Sequence, residues 1–317
     1  MAVNMSKDRG KLTSIRCRPL YGCVALLSFF LLAPVQAQQS QDDDDVLRVN
    51  SDLVVVNVTV TDAAGKYARG LRRADFKLKE DGKDQVISSF SAEETPFAAV
   101  VLLDFSGSME NRMSLARSAA IHFLDGLRDE DVAAVYSFDS EIEKLQDFSP
   151  SRDLAPVAFG RHAKGMTVLN DAILRAAEEL SRRPEKRRAI VVLSDGYDTK
   201  SSASMEKAMS AALNSGVTIY TVDMSSTDSS NLQARAQAAG ALRGFASKSG
   251  GRYVATPGGQ SMREAFAGIV EELGNQYTIT YQPSNHARDG RWREIDVKLG
   301  RTELTARARK GYRAAKN

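Results

Sequence analysis

Two kinds of hydrophobic pattern divide the chain. In Leu53-Val-Val-Val-Asn-Val-Thr-Val-Thr61, Val54, Val56, Val58 and Val60 share one face, and Asn57, Thr59 and Thr61 share the other with Val55. Period two with β-branched residues predicts a half-buried strand. Asp62 to Gly65 reads as a turn. Phe76-Lys-Leu-Lys-Glu80 alternates again, Asp81-Gly82 supplies hairpin turn chemistry, and Gln85 to Phe90 is the return strand. Residues 46–95 are therefore expected to be an all-β unit. Its strands are few and would leave open edges. The other end of the chain offers partners, because Gln276–Tyr281, Trp292–Lys298 and Glu303–Arg309 alternate in the same way. Residues 276–317 are expected to complete one small β-sandwich with the N-terminal strands. Arg307, Arg309 and Lys310 then fall on the wet face of an edge strand, where charge blocks aggregation.

The middle of the chain, residues 96–275, carries a different rhythm. Ala98–Leu103 and Ala189–Leu193 are unbroken apolar runs, as in strands covered on both faces. Val132–Phe138, Ile142–Phe148, Val217–Val222 and Tyr253-Val254 supply further strands. Helical spacing begins with Leu115, Ala119 and Phe123, and recurs over 170–181, 203–214, 232–249 and 261–273. This βαβα series predicts an α/β domain with a doubly wound, mostly parallel sheet of the Rossmann type, inserted between the terminal strands.

The N-terminus changes the meaning of the charge. The chain of 317 residues has a formal charge of +3, with 43 basic and 40 acidic residues. Residues 1–37 hold five of the basic residues and one of the acidic ones, leaving 38 against 39 beyond them. That balance excludes nucleic-acid binding driven by bulk charge. A basic start, the apolar run Val24–Ala33 and Val35-Gln-Ala37 form the pattern of a secretory signal peptide, with an uncleaved membrane anchor as the alternative. The protein is then secreted, or held in the periplasm or cell envelope. Leu20-Tyr-Gly-Cys23 resembles a lipidation signal, but its apolar run follows the cysteine instead of preceding it. Both cysteines, Cys17 and Cys23, lie in this segment, so the mature chain is expected to have no disulfide and no thiolate metal site. Residues 38–45 end in four aspartates and read as a solvated acidic linker.

Three stretches carry the chemistry. Asp104-Phe-Ser-Gly-Ser108 follows the first buried strand, Thr167 lies ahead of a helix, and Asp195 follows the next fully buried strand. In a sheet ordered 3-2-1-4-5-6, strands one and four adjoin at the switch point, so Asp104 and Asp195 face each other across the crevice. Two carboxylates then converge with the hydroxyls of Ser106, Ser108 and Thr167, and the motifs contain no Lys or Arg to neutralise them. Two buried like charges repel, and a divalent cation removes the conflict. An all-oxygen set favours Mg2+, with Mn2+ or Ca2+ as alternatives, over zinc. Five side chains would leave one coordination position open.

This set of residues, at these strand ends, resembles the metal-ion-dependent adhesion site of von Willebrand factor type A (VWFA) domains, over about residues 96–275. The flanking Val58-Thr-Val-Thr-Asp62, Asp75-Phe76, Glu80-Asp-Gly82 and Arg309-Lys-Gly-Tyr312 look like a bacterial family of secreted VWFA-related proteins. The resemblance implies that Ser106, Ser108 and Thr167 bind the cation directly, and that Asp104 and Asp195 bind mainly through water. It implies a protein partner whose acidic residue completes the shell. Met166 departs from the pattern, since a small residue commonly precedes this threonine, and this bears on loop mobility and on access to Thr167.

Plainer readings exist for each residue. Asp104, Ser106 and Ser108 fit a tight turn capping a helix, and Thr167 fits a helix cap. Asp171 fits a helix N-terminal charge. Asp198 and Thr199 fit a solvated loop, and Asp139 lies on the same rim. The sequence holds no G-x-S-x-G, P-loop or G-x-G-x-x-G, and none of the scattered His122, His162 and His286 sits beside a serine in a nucleophile-elbow sequence. An Mg2+-dependent phosphatase with an aspartyl nucleophile is the rival enzyme; it would need an Asp where Ser106 stands. The expectation is an exported, non-enzymatic protein-binding module. The alternative is an envelope-assembly protein in which the metal only staples loops.

Overall fold

A computed structural model describes residues 53–92, 95–150, 165–225, 231–255 and 260–316. The expected signal segment and acidic linker lie outside these residues. Strand β1 (Val54–Thr61) buries Val54, Val56, Val58 and Val60 as its alternation predicts. Strands β2 (Phe76–Glu80) and β3 (Lys83–Gln85) pair through a turn with φ of 48° at Asp81 and 79° at Gly82. Two successive positive φ angles match the twist of a two-residue hairpin. The single expected return strand is in fact two. After Val86, which is 77% exposed, the chain leaves β2 and continues as β4 (Ile87–Ser91) in another sheet. A bend at a sheet corner lets one run of alternating residues serve two sheets.

The central sheet follows. Its elements are β5 (Phe97–Asp104), α1 (Met113–Asp125), β6 (Val132–Phe138), β7 (Ile142–Ser149), α2 (Leu169–Ser181), β8 (Arg187–Ser194), α3 (Met205–Asn214), β9 (Val217–Asp223), α4 (Leu232–Ser249), β10 (Tyr253–Ala255) and α5 (Gln260–Gly274). The strand order is β10-β9-β8-β5-β6-β7, and every pair is parallel except β6–β7. All eight residues of β5 are buried. Ala99, Val101 and Leu103 pack in one cluster with Phe123 of α1 and Phe266 of α5. Ala98, Val100 and Leu102 pack in another with Ile173 of α2 and Leu213 of α3. Helices on both faces explain the unbroken apolar runs. The connection reverses direction between β5 and β8, the place where such sheets bind ligands. Among the described residues no helix is long and apolar enough to cross a membrane.

The chain ends in β11 (Tyr277–Tyr281), β12 (Trp292–Leu299), β13 (Thr305–Ala308) and β14 (Gly311–Arg313). One four-stranded sheet has the order β13-β1-β11-β4 and the other β14-β12-β2-β3. Val58, Phe76, Tyr277 and Ile295 belong to one buried cluster that draws on both sheets.

Two sequence expectations are corrected here. β1 is buried on both faces, with Asn57 and Thr59 covered as well as the valines. Thr59 Oγ1 donates to Glu272 Oε1 of α5 at 3.2 Å and accepts from Gln276 Nε2, while Thr278 Oγ1 donates to Asn57 Oδ1 at 3.1 Å. Its polar face thus meets the α/β part through satisfied hydrogen bonds rather than water. Arg307 and Arg309 are not a wet stripe. Arg307 pairs with the buried Glu272 and donates to Gly250 O, and Arg309, 6% exposed, donates to Leu213 O. The edge is covered by α4, whose exit passes so close that a Cβ on Gly250 (φ 83°) would lie 2.5 Å from Arg309 N. Lys310 alone stays exposed.

Candidate functional site

Parallel strands bring their C-terminal ends to one rim. β5 pairs with β8 in the register Leu103↔Leu193, which sets Asp104 beside Ser194. Ser194 Oγ donates to Asp104 Oδ2 at 2.6 Å, and Ser106 N–H donates to Asp104 Oδ1 at 2.9 Å. Beyond this turn a 3-10 segment, Gly107–Arg112, leads into α1. The hydroxyls of Ser106 and Ser108 lie 3.2 Å apart. Asp195 follows Ser194, and Tyr197 N–H donates to its Oδ1 at 3.3 Å. Gly196 makes this exit feasible: its φ is 84°, and a Cβ there would stand 2.6 Å from Ala238 O of α4. Asp104, Ser106 and Asp195 are buried, whereas Ser108 is exposed at the lip.

Thr167 comes from a different loop. Its N–H donates to Thr199 Oγ1 at 2.8 Å, and its carbonyl accepts from Thr199 N and Lys200 N, both at 3.0 Å. These residues lie four and five positions past Asp195, so the two loops are laced together. Thr167 does not cap α2. The residue heading that helix is Val168, and no side chain caps it in the usual way. Instead Asp198 Oδ2 accepts from Asn170 N, and Ser201 Oγ accepts from Asp171 N. Asp171 lies in the first turn of α2, as expected, and also accepts from Ser202 N and Ala203 N. Asp198 and Thr199 are exposed loop residues, as expected, and their side chains also hold the rim together. Asp139 contributes its carbonyl, which accepts from Val168 N at 2.9 Å. Met166 is 56% exposed while Thr167 is buried, so the bulky side chain points to solvent.

The electrostatics is that of unbalanced negative charge. Burial, then the neighbouring charge of Asp195, raises the Asp104 pKa to about 7, against hydrogen bonds from Ser106 and Ser194 that lower it. Burial also raises Asp195, with Asp223 adding to the effect and hydrogen bonds from Ser108 and Tyr197 N–H opposing it. No lysine or arginine among the described residues forms an ion pair with either group. The donor set of two carboxylates and neighbouring hydroxyls suits a hard dication. Among the described residues no group of three His, Cys, Asp or Glu is placed to hold a metal, so a cation here would depend on hydroxyl and water ligands as well.

Two neighbours escaped the sequence reading. Ser194 holds Asp104 in place. Asp223, at the end of β9, accepts from Ser225 N and Oγ and from the Tyr253 hydroxyl, and its charge acts on Asp195. Both occupy the strand-end position that identified Asp104 and Asp195, so extending that rule to every parallel strand would have found them.

Residues 99–197 match the family model of the von Willebrand factor type A domain. That span runs from β5 to just past Asp195 and contains Asp104, Ser106, Ser108 and Thr167. Among solved structures, the chain is similar to a von Willebrand factor type A protein from Catenulispora acidiphila, at 15% identity and TM-score 0.49, covering 85% of this chain and 75% of that one. It is also similar to the vWF domain of the type V pili tip protein Mfa5 from Porphyromonas gingivalis, at 14% identity and TM-score 0.47, covering 56% and 95%. The pilus adhesin SpaC from Lactobacillus rhamnosus GG shows 10% identity and TM-score 0.46, covering 80% and 49%. No curated protein matches the chain.

Proposed function

We propose that this chain is an exported protein-binding module that grips its partner through a divalent cation on the rim of the central sheet. The observation that carries this reading is the pair Asp104 and Asp195, buried side by side beneath serine hydroxyls without a basic counter-charge. Mg2+ fits the site best, with Mn2+ or Ca2+ as substitutes. Ser106, Ser108 and Thr167 would be its direct protein ligands. Asp104, whose oxygens already accept from Ser194 and Ser106, would act with Asp195 mainly through water. With a divalent cation bound, the charges of Asp104 and Asp195 would be offset, and the near-neutral site could accept an acidic side chain of the partner. Ser108 opens that position to solvent. The exposed Met166, on the loop before α2, and Leu232, at the start of α4, lie at the C-terminal side of the sheet and would supply apolar contact beside the ion.

The two four-stranded sheets share a core and support the reading of the terminal strands as a small sandwich that carries this rim. The N-terminal signal pattern supports export to the periplasm, envelope or exterior. Affinity capture from the native envelope tests the function. A partner should be retained in millimolar Mg2+, released by EDTA, and lost with Asp104→Ala at little cost in Tm. Capture that ignores EDTA would refute the metal-bridged mode. A large fall in Tm with capture intact would assign the metal to loop stapling instead.

A further inference from the structure

The opposite end of β8 presents the reverse electrostatic problem. A cleft of about 390 Å3 lies where the chain enters β8 and β9 and meets the segments that follow β11 and flank β14. Lys186, Arg188, Arg288, Arg309, Arg313 and the imidazole of His286 line it, and no Asp or Glu is among the described residues in its walls. Arg313 is paired with Glu206. Arg188 and Arg309 are held by neutral acceptors. Arg188 donates to the carbonyls of Glu185 at 2.8 Å, Arg183 at 2.6 Å and Ser215 at 3.1 Å. Arg309 donates to Leu213 O, and its Nε is buried with no hydrogen-bond partner. Glu80, the carboxylate that acts on Arg309 at longer range, is taken up by the hydroxyls of Tyr281 at 2.7 Å and Tyr312 at 2.9 Å.

A guanidinium hydrogen-bonded only to carbonyls keeps a charge that burial disfavours, and here only longer-range carboxylates, Glu185 for Arg188 and Glu80 for Arg309, work against that burial. The same burial lowers Arg188 and brings Arg309 down to about 10. An anion in the cleft would offset this charge. The remaining wall mixes neutral polar residues, Asn214, Ser215, Gln282 and Asn285, with an apolar part where Leu213 and Pro283 are buried and the Tyr312 ring lies 5.6 Å from the Arg309 guanidinium. The volume lies in the range of small-molecule sites.

We propose that this cleft binds a small amphiphilic anion, with a phosphate or carboxylate head group on the basic wall and a short apolar body against Leu213, Pro283 and Tyr312. The site is separate from the Asp104 rim and independent of the metal.

Calorimetric titration with octyl phosphate, octanoate and inorganic phosphate tests it on the whole mature chain. At least one octyl ligand should bind with one site per chain, and more tightly than inorganic phosphate. The preferred head group separates a phosphate ligand from a carboxylate one. Lys186 and Arg288 are exposed, so the double variant Lys186→Glu/Arg288→Glu should keep its Tm yet bind at least tenfold more weakly. Arg309→Gln probes the buried donor, with its circular dichroism spectrum as the check on folding. Asp104→Asn, or EDTA, should leave the affinity unchanged, so failure of the metal reading would not touch this one. No saturable binding of any probe up to millimolar concentration, or equal affinity in the double variant, would overturn the proposal. So would inorganic phosphate binding as tightly as octyl phosphate.

Discussion

Replacing Asp104 by asparagine should stabilise the metal-free protein at alkaline pH. Asn keeps the shape and an acceptor for Ser106 N–H, but it removes one of two buried like charges. The Asp104 carboxyl rises from 3.8 to about 7 on folding. A carboxyl whose folded pKa exceeds its unfolded value holds its proton more tightly in the native state. Stability is therefore greatest below the unfolded value and is lost as pH climbs through 7. From pH 5 to pH 8 the folded group gives up its proton while the unfolded one is already ionised throughout. At about 1.4 kcal/mol per unit, that interval costs about 3 kcal/mol. The loss belongs to the coupled pair, because Asp195 is raised as well. For a folded unit of this size it corresponds to roughly 6 to 12 °C in Tm. The assay is scanning calorimetry in EDTA at several pH values. Wild type should fall relative to Asp104→Asn as pH rises, and Mg2+ should restore wild type far more than the variant. A wild-type Tm that stays level with the variant, or gains on it, between pH 5 and 8 would show that the two carboxylates do not oppose each other.

Other consequences follow from contacts elsewhere. Arg307→Met leaves the buried Glu272 with the hydroxyls of Thr59 and Tyr220 and, among the described residues, Arg252 at 3.9 Å as its remaining cation, and should cost about 3 kcal/mol in urea unfolding; a loss below the error of the fit would show that Glu272 is neutralised by other means. Gly250→Ala combines a positive φ with a Cβ driven to 2.5 Å from Arg309 N, so a loss above about 1 kcal/mol is expected from thermal melts. Met166→Ser should weaken capture of the partner without changing Mg2+ affinity, read by surface plasmon resonance and calorimetry; unchanged capture would remove Met166 from the binding rim.

Much of the central sheet was legible because its strands are buried on both faces. An unbroken run such as Ala98–Leu103 has few other physical meanings when helical periods flank it, and β6 spans the predicted Val132–Phe138. Asp104 and Asp195 could be placed together because strand order converts two distant positions into neighbours. The terminal strands were harder. β14 is three residues long, too short for alternation to show, and the crossing at Val86 depends on which sheet each half can reach. The burial of Arg307 and Arg309 was illegible for another reason. Charge on a strand reads as solvent until its partners are known, and Glu272 and Leu213 lie far away in sequence. Ser194 and Asp223 were legible only by their position at the ends of parallel strands, because a single polar residue after an apolar run carries no pattern of its own.

Direct titration of the rim with Mn2+, followed by electron paramagnetic resonance, bears most closely on the central claim. One tightly held ion per chain is expected, displaced by Mg2+ and lost in Asp195→Ala and in Thr167→Val, with both variants still folded. Free Mn2+ throughout the titration, or a bound ion indifferent to both substitutions, would contradict it.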